Sequence, residues 1–184
     1  MTRIAAISGS WRTGSYSDQL LRETLETLST ITPTVVQHLS PRTLPHYDAD
    51  LEFAGSESVA EARAIIADSD AVLIVSPEYN GAPPGSLLNA LDWLSRPWQD
   101  CPMTAKSVLA VAAAPGRGGG RRAAARLRET LDIIGAALVG EVLSVPHVDV
   151  LLRERGHDLA VFRHNIEQLT LRVPELDRGR AHSA

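Results

Sequence analysis

Short apolar runs alternate along the chain with segments in which apolar residues recur at helical spacing. The apolar runs predict five strands, at residues 3–8, 34–39, 71–76, 107–113 and 137–145. A strand that is buried on both faces is apolar throughout, whereas a covering helix carries one apolar stripe. The alternation therefore predicts an α/β fold in which helices cover both faces of a parallel sheet.

Two helices are predicted between the first three strands. The first begins near Ser17 and carries its apolar stripe on Leu21, Leu25 and Leu28. Ser58 and Glu61 have the spacing of a capping box, which predicts a second helix to about residue 68. Its apolar face consists of Val59, Ala62 and Ile66.

Three further helices are predicted after the third strand. The helix at residues 86–96 carries Leu87, Leu88, Leu91 and Leu94 and must end near Pro97. The next carries Ala123, Leu127, Leu131 and Ile134, and Gly135 closes it. The last carries Leu159, Phe162, Ile166 and Leu169. Residues 1–176 are predicted to form one domain, and residues 177–184 a disordered tail.

The composition excludes several classes of protein. The chain has 184 residues, 44% of them hydrophobic, and a net charge of −4, which indicates one globular domain without the basic surface of a nucleic-acid-binding protein. Cys101 is the only cysteine, so neither a disulfide within the chain nor a cysteine-based zinc site can form. With no signal peptide or long apolar stretch, we expect a cytoplasmic protein that does not enter membranes.

The loop after the first strand, residues 8–17, is rich in hydroxyl groups and leads into a helix. It contains two glycines and one guanidinium, on Arg12. Backbone N–H groups at a helix N-terminus bind anions, so the loop predicts a phosphate site. It lacks both the G-K-[ST] ending of a triphosphate loop and the G-x-G-x-x-G pattern, which favours a monophosphate. The alternative is a serine-rich turn that only caps the helix.

Two more loops at strand ends have the character of ligand sites. Residues 76–85 include three prolines, two glycines and Tyr79, whose ring offers a flat face to a planar heterocycle. Residues 114–120 contain four glycines in five positions, which allows close approach of the backbone to a ligand. The alternatives are a connecting turn for the first loop and simple flexibility for the second. Ligands of open α/β sheets bind where such loops converge.

Together these motifs resemble the NADPH-dependent FMN reductase family of flavodoxin-like proteins. The similarity lies in the sequences of residues 9–17, of residues 77–81 with Asn89-Ala90-Leu91-Asp92-Trp93 after them, and of residues 115–119. Residues 45–51 resemble a loop that the family places after its second strand. The resemblance implies a flavodoxin-like, doubly wound, five-stranded parallel sheet with the strand order 2-1-3-4-5.

The resemblance also implies a set of FMN-binding residues. Those around the phosphate and ribityl chain would be Ser10, Arg12, Ser15, Tyr16 and Ser17. Those bordering the isoalloxazine ring would be Pro77, Glu78, Tyr79 and Asn80, and Gly81, Ala114 and Gly116 complete the set. The chain departs from the family at Ser17, where asparagine is common, near Ala114, where serine is frequent, and at Trp11, where a smaller aliphatic residue is usual.

The function that the resemblance implies is oxidoreduction. NADPH or NADH would deliver hydride to N5 of bound FMN, and the reduced flavin would pass electrons to a quinone, free flavin or azo compound. No catalytic residue is predicted, because the cofactor carries the chemistry. The alternative is a flavodoxin-like electron carrier that does not accept hydride; Arg12 and Arg117 at the mouth of the site favour the enzyme, since carriers are usually acidic there.

Other features give weaker signals. The arginines at 117, 121, 122, 126 and 128 form either a solvated helix face or a surface that attracts anionic NADPH. The histidines lack metal-binding spacings, so no metal site is predicted, and Cys101 is expected to be an ordinary thiol. The helix at 86–96 carries more apolar residues than one stripe needs, which together with the resemblance predicts a homodimer or tetramer.

Overall fold

The computed structural model describes residues 1–53 and 56–154, which form one parallel sheet between two layers of helices. The strands are β1 (Thr2–Ser8), β2 (Thr34–Leu39), β3 (Ala71–Pro77), β4 (Ser107–Ala113), β5 (Ala137–Leu138) and β6 (Leu143–Val145). The helices are α1 (Tyr16–Ile31), α2 (Glu57–Asp68), α3 (Gly85–Leu94), α4 (Arg121–Ile134) and α5 (Val148–Arg153). The strand order is β2-β1-β3-β4-β5, with β6 also paired to β4. The predicted order of a flavodoxin-like sheet is therefore confirmed.

The predicted fifth strand is two short strands at one position beside β4. Ala137 and Leu138 pair with the start of β4, and Leu143–Val145 with its end. Between them, Gly140 has a φ of 71°, which breaks the extended backbone. The prediction of one continuous strand over 137–145 is wrong in this detail, although both pieces lie in the expected place.

Two hydrophobic cores lie on opposite faces of the sheet. Alternate residues of β1 point to opposite sides, so that Ala5 and Ile7 pack with α2, α3 and α4, while Ile4 and Ala6 pack with α1 and α5. The stripes predicted for the first, second and fourth helices, including Leu28, Ile66 and Leu131, are buried. The amphipathic pattern therefore identified the inward faces correctly.

The helix starts differ from those predicted by up to two residues. Ser15, not Ser17, caps α1, and its hydroxyl accepts the backbone N–H of Asp18. The predicted capping box of Ser58 and Glu61 is wrong, because Ser56 caps α2 and accepts the backbone N–H of Val59. In both helices the N-cap is a serine two residues before the predicted one, because that earlier serine has the extended backbone that a cap requires. The sequence alone does not show which of two nearby serines adopts this backbone.

The apolar side chains of α3 are almost all buried in the core of their own chain. Leu87, Leu91, Trp93 and Leu94 are buried, and Leu88 is half-buried. The excess of apolar residues that suggested a subunit contact is therefore covered within the chain. The helix ends at Leu94, two residues earlier than predicted, with Ser95 as its C-cap.

Some predictions lie outside the described residues. These are the last helix, with Leu159, Phe162, Ile166 and Leu169, the domain end at residue 176 and the tail at 177–184. Over the described part of the chain, no helix has the length and apolar character needed to cross a membrane.

Candidate functional site

Three loops meet at the carboxyl edge of the sheet, because β1, β3 and β4 are neighbours there. They enclose an open cleft of about 220 Å³. The residues that line it are Ser10, Arg12, Ser15, Tyr16, Ser17, Pro77, Glu78, Tyr79, Ala113, Ala114 and Pro115. Nine of the twelve residues predicted from the sequence are among them, and Asn80, Gly81 and Gly116 are not.

The first wall of the cleft is the N-terminus of α1. Ser10, Ser15 and Ser17 are buried there. Within the described chain, the backbone N–H groups of Gly14, Tyr16 and Ser17 donate to no protein acceptor. The interpretation of this loop as a cap is correct for Ser15, but the remaining donors and the positive end of the helix leave room for an anion.

Arg12 brings a positive charge to this wall. Its guanidinium is exposed and donates to the carbonyl oxygens of Thr13 at 3.2 Å and Gly14 at 3.4 Å. Over residues 1–53 and 56–154 it has no acidic partner within ion-pair distance. The loop therefore combines helix N–H groups, hydroxyls and an uncompensated cation, which suits a phosphate monoester.

The second wall is a tight hairpin after β3. The backbone N–H of Tyr79 donates to the carbonyl oxygen of Ala82 at 2.9 Å, and Ala82 donates back at 3.1 Å. Between them Asn80 and Gly81 have φ values of 52° and 77°, as a type I′ turn requires. The Tyr79 hydroxyl lies 3.5 Å from the hydroxyl of Ser10, so the hairpin reaches the first wall. Asn80 and Gly81 form its tip, outside the cleft.

Glu78 connects this hairpin to α4. One oxygen of its carboxylate, Oε2, accepts the backbone N–H groups of Arg122 at 3.0 Å and of Ala123 at 3.1 Å. The N-cap of α4 is Gly120, which has no side chain to make such bonds. This contact was not predicted from the sequence. A helix that follows a run of glycines has no capping side chain of its own, and this feature could have indicated that a residue from elsewhere in the chain caps it.

The glycine-rich loop before α4 packs against the chain itself. Gly119 has a φ of 60°, and a Cβ on it would lie 2.5 Å from the backbone nitrogen of Pro146. Gly120 has a φ of 80°, and its Cβ would lie 3.1 Å from Cβ of Ala112. These two glycines are required by close backbone packing, whereas Gly116 has open space around it. Close approach of the backbone to a ligand was predicted as the reason for all four glycines, but packing within the chain explains Gly119 and Gly120.

The sequence matches the model of the family described as NADPH-dependent FMN reductase over residues 2–149. The chain belongs to this family. The expectation of an oxidoreductase enzyme is therefore confirmed at the level of the FMN reductase family.

Proteins of two bacteria and a plant are similar in sequence to this member of the FMN reductase family. A quinone reductase of Escherichia coli (strain K12) is 36% identical over 141 residues, which cover 76% of this chain and 74% of that protein. An NAD(P)H-dependent FMN reductase of Pseudomonas aeruginosa is 36% identical over 131 residues, covering 70% and 69%. An NAD(P)H:quinone oxidoreductase of Solanum tuberosum is 39% identical over 125 residues, 65% of this chain, and the match spans only 62% of its length.

Solved structures agree with the fold. The flavoenzyme NAD(P)H:(acceptor) oxidoreductase FerB of Paracoccus denitrificans is 32% identical and superposes with a TM-score of 0.68, covering 77% of this chain and 78% of its own. The apo form of an NADH:FMN oxidoreductase has a TM-score of 0.73 at 21% identity, covering 93% and 89%. The second likeness bears on the fold alone.

Two residues of the FMN reductase motif after the hairpin have structural roles. The side chain of Asn89 accepts the backbone N–H of Tyr47 at 2.7 Å and donates to the carbonyl oxygen of Pro45 at 2.8 Å. The indole of Trp93 donates to the same Pro45 oxygen at 2.9 Å. Its ring also meets the Tyr47 ring edge-on, with centroids 4.9 Å apart. Together they fasten the loop after β2 to α3.

A second cleft of about 450 Å³ lies on the β2 side of the first loop. It shares Ser10 and Arg12 with the first cleft and also contains Trp11, Arg22 and His38 among its lining residues. Arg22 is paired there with Asp18 at 2.7 Å. This cleft was not predicted, because the residues after β2 carry no recognisable ligand motif.

The arginines of the α4 region divide into two groups. Arg126 pairs with Glu129 at 3.2 Å, and Arg128 lies between Asp132 and Glu141, which fits a solvated helix face. Arg117, Arg121 and Arg122 are exposed and have no ion pair within the described residues. Across the same part of the chain, no group of three His, Cys, Asp or Glu side chains is arranged to hold a metal ion.

Proposed function

We propose that this chain is an FMN-dependent oxidoreductase that passes electrons from NADPH or NADH, through bound FMN, to a small acceptor. The observation that carries the proposal is the convergence of nine predicted FMN-binding residues on one cleft in a member of the FMN reductase family. The acceptor classes are quinones, free flavins and azo compounds. Relatives named as quinone reductase and as FMN reductase support the first two.

The α1 wall fits the FMN phosphate. Phosphates in proteins are held by backbone N–H groups at helix N-termini, by hydroxyls and by guanidinium groups. This wall offers all three: the unpaired N–H groups of Gly14, Tyr16 and Ser17, the hydroxyls of Ser10 and Ser15, and the guanidinium of Arg12. Serine at position 17 supplies a buried hydroxyl where the family commonly has an asparagine amide. The backbone N–H donors do not depend on that substitution.

The hairpin and the end of β4 fit the flavin ring. Pro77 and Tyr79 line the cleft together with Ala114 and Pro115, which follow the neighbouring strand β4. When bound, FMN supplies the hydride-accepting chemistry, so the chain needs no acid, base or nucleophile. The residues of the chain hold the ring, orient it and leave one side open to the nucleotide.

The positive charges of Arg12, which lines the cleft, and of Arg117, two residues after the lining residue Pro115, favour an enzyme over an electron carrier. Arg12 and Arg117 are both exposed and have no acidic partner within the described residues, so they attract an anionic donor such as NADPH. The test is anaerobic addition of NADPH to purified protein that carries flavin. Rapid bleaching of the visible flavin absorbance supports the reductase, whereas an unchanged spectrum, with bleaching by dithionite, indicates the carrier.

Assembly as a homodimer, or as a tetramer built from two dimers, is part of the proposal, as is a cytoplasmic location. Because α3 is covered within the chain, the support comes from a shallow cleft of about 190 Å³ between α3 and α4. Ile133 and Trp98 line it and are 72% and 53% exposed. Sedimentation of the protein at micromolar concentration, with Ile133→Asp as the variant expected to dissociate, tests this. A fully active monomer of 19.8 kDa contradicts it.

A further inference from the structure

We propose that Glu78 is a positioning residue whose carboxylate serves as a built-in anion at the N-terminus of α4. In that place it fixes the hairpin wall of the cleft and reserves the N-terminus of α1 for the phosphate of the flavin. The inference rests on the proposed function, since it concerns how the same cleft receives FMN.

The first step of the argument is that α4 depends on Glu78 for its cap. The helix begins after Gly120, which has a φ of 80° and no capping side chain. The N–H of Arg121 donates to the carbonyl oxygen of Gly118 at 3.0 Å, but within the described chain those of Arg122 and Ala123 have no local acceptor. Oε2 of Glu78 accepts both of these N–H groups, at 3.0 and 3.1 Å. Hydrogen bonds from N–H groups to a carboxylate at a helix N-terminus are among the stronger ones in proteins.

The second step is that these bonds set the position of the hairpin. Gly81 at the tip lies against the Arg122 side chain, with its hypothetical Cβ 3.2 Å from the Arg122 Cδ atom. At the other side of the hairpin, the Tyr79 hydroxyl lies 3.5 Å from Ser10. The hairpin is therefore held between α4 and the α1 loop, and Glu78 provides the charged link to α4.

The third step concerns the choice between two helix N-termini. Both α1 and α4 begin at the carboxyl edge of the sheet. The exposed Arg121 is the first residue of α4, and the glycine-rich loop before it carries the exposed Arg117, a combination that attracts phosphate. Glu78 already fills two donors of α4, and its negative charge repels a second anion there. The corresponding donors of α1, including those of Tyr16 and Ser17, have no acceptor in the described chain. Glu78 thus determines which of the two helix N-termini receives the phosphate.

The experiment compares Glu78→Ala and Glu78→Gln with the wild-type protein. Because a single oxygen accepts both bonds, the carbonyl oxygen of a glutamine side chain can replace it, whereas alanine cannot. The matched control is Glu57→Ala, which removes an exposed carboxylate from the first turn of α2, away from the cleft. Amide hydrogen exchange of Arg122 and Ala123 is measured by NMR in flavin-free protein, and FMN and riboflavin affinities are measured separately.

We expect Glu78→Ala to expose the amides of Arg122 and Ala123 to exchange and to lower FMN affinity about tenfold. Inorganic phosphate, added to the flavin-free alanine variant, should shift the resonances of these two amides, and should not do so in the wild-type protein. Glu78→Gln keeps the accepting oxygen but loses the charge, so both amides should stay protected while FMN affinity falls by less than in Glu78→Ala. Glu57→Ala should match wild type in every measurement.

Two results would overturn the proposal. One is unchanged exchange of both amides together with unchanged FMN affinity in Glu78→Ala. The other is a loss in Glu78→Gln as large as that expected for alanine, a test that remains available if the alanine variant does not fold. Failure of the proposed function is separate: the wild-type protein would then bind no FMN, while the exchange and phosphate measurements on flavin-free protein would still report on Glu78.

Discussion

Gly119 lies directly against Pro146, with space for a hydrogen atom and for nothing larger. A Cβ built on Gly119 would be 2.5 Å from the Pro146 nitrogen and 2.9 Å from its Cα, both of them backbone atoms. The carbonyl oxygen of Gly119 also accepts the backbone N–H of Val145 at 3.0 Å. These contacts hold the glycine-rich loop against β6. Because α4 begins directly after this loop, they also fix the start of α4.

Gly119→Ala is expected to destabilise the protein by about 2 kcal/mol or more, because a left-handed φ and a backbone clash are combined. Gly118→Ala is the matched control. Gly118 has open space around it and does not have a positive φ, so its substitution should change stability by less than about 1 kcal/mol. Urea denaturation of both variants measures the difference, and equal stabilities would show that the loop does not pack on Pro146.

The purified protein is expected to bind about one FMN per chain and to bind riboflavin at least tenfold more weakly. The reason is that riboflavin lacks the phosphate that the N-terminus of α1 would hold, with its unpaired N–H groups and Arg12. Titration of flavin-free protein, followed by quenching of flavin fluorescence, gives both dissociation constants. Equal affinities would mean that the phosphate does not lie at α1.

Arg12→Ala is expected to weaken FMN binding by about 1.5–3 kcal/mol, the usual range for a charge-assisted hydrogen bond. Arg128→Ala is the control, because Arg128 is exposed on α4, lines neither the proposed FMN cleft nor the cleft between α3 and α4, and pairs with Asp132. Its FMN affinity should stay within about twofold of wild type. Similar losses for the two variants would place the phosphate site elsewhere.

Asn89→Ala is expected to lower the free energy of unfolding by about 1–3 kcal/mol, since it removes the acceptor for the Tyr47 N–H and a donor to Pro45. Asn89→Asp should cost at least as much at neutral pH, because its carboxylate is acceptor-only and places an oxygen against the Pro45 carbonyl oxygen in place of the donor. Thermal unfolding of the two variants tests this order. A much smaller loss for the aspartate variant would contradict the donor role of Asn89 toward Pro45.

The sequence identified the buried elements well, because burial has a direct periodic signature. The ends predicted for β2 and β4 agree with the structure, and both are strands flanked by polar residues or turns. The break at Gly140 was not predicted, since the apolar residues on either side of it continue the same pattern. The position of a break depends on pairing with β4, which a local pattern does not contain.

The candidate site was predictable at the level of loops and less so at the level of single contacts. Loops after adjacent parallel strands must converge, so the meeting of Ser15 with Pro77 and Ala114 in one cleft follows from topology. The contact of Glu78 with Arg122 joins residues 44 positions apart and depends on where α4 begins. No spacing rule in the sequence predicts such a contact.

The edge of the sheet beside β4 is formed by two short strands, β5 and β6, and this division affects how the edge can pair with strands of other chains. An edge strand offers unpaired backbone groups to any passing strand and is a common starting point for aggregation. Here the segments beside β4 are two and three residues long, and the chain between them leaves the extended conformation at Gly140. An incoming strand finds no continuous row of donors and acceptors to extend. Replacing Gly140 by a β-branched residue would therefore be a hazard for solubility as well as for folding, if it straightened this edge into one strand.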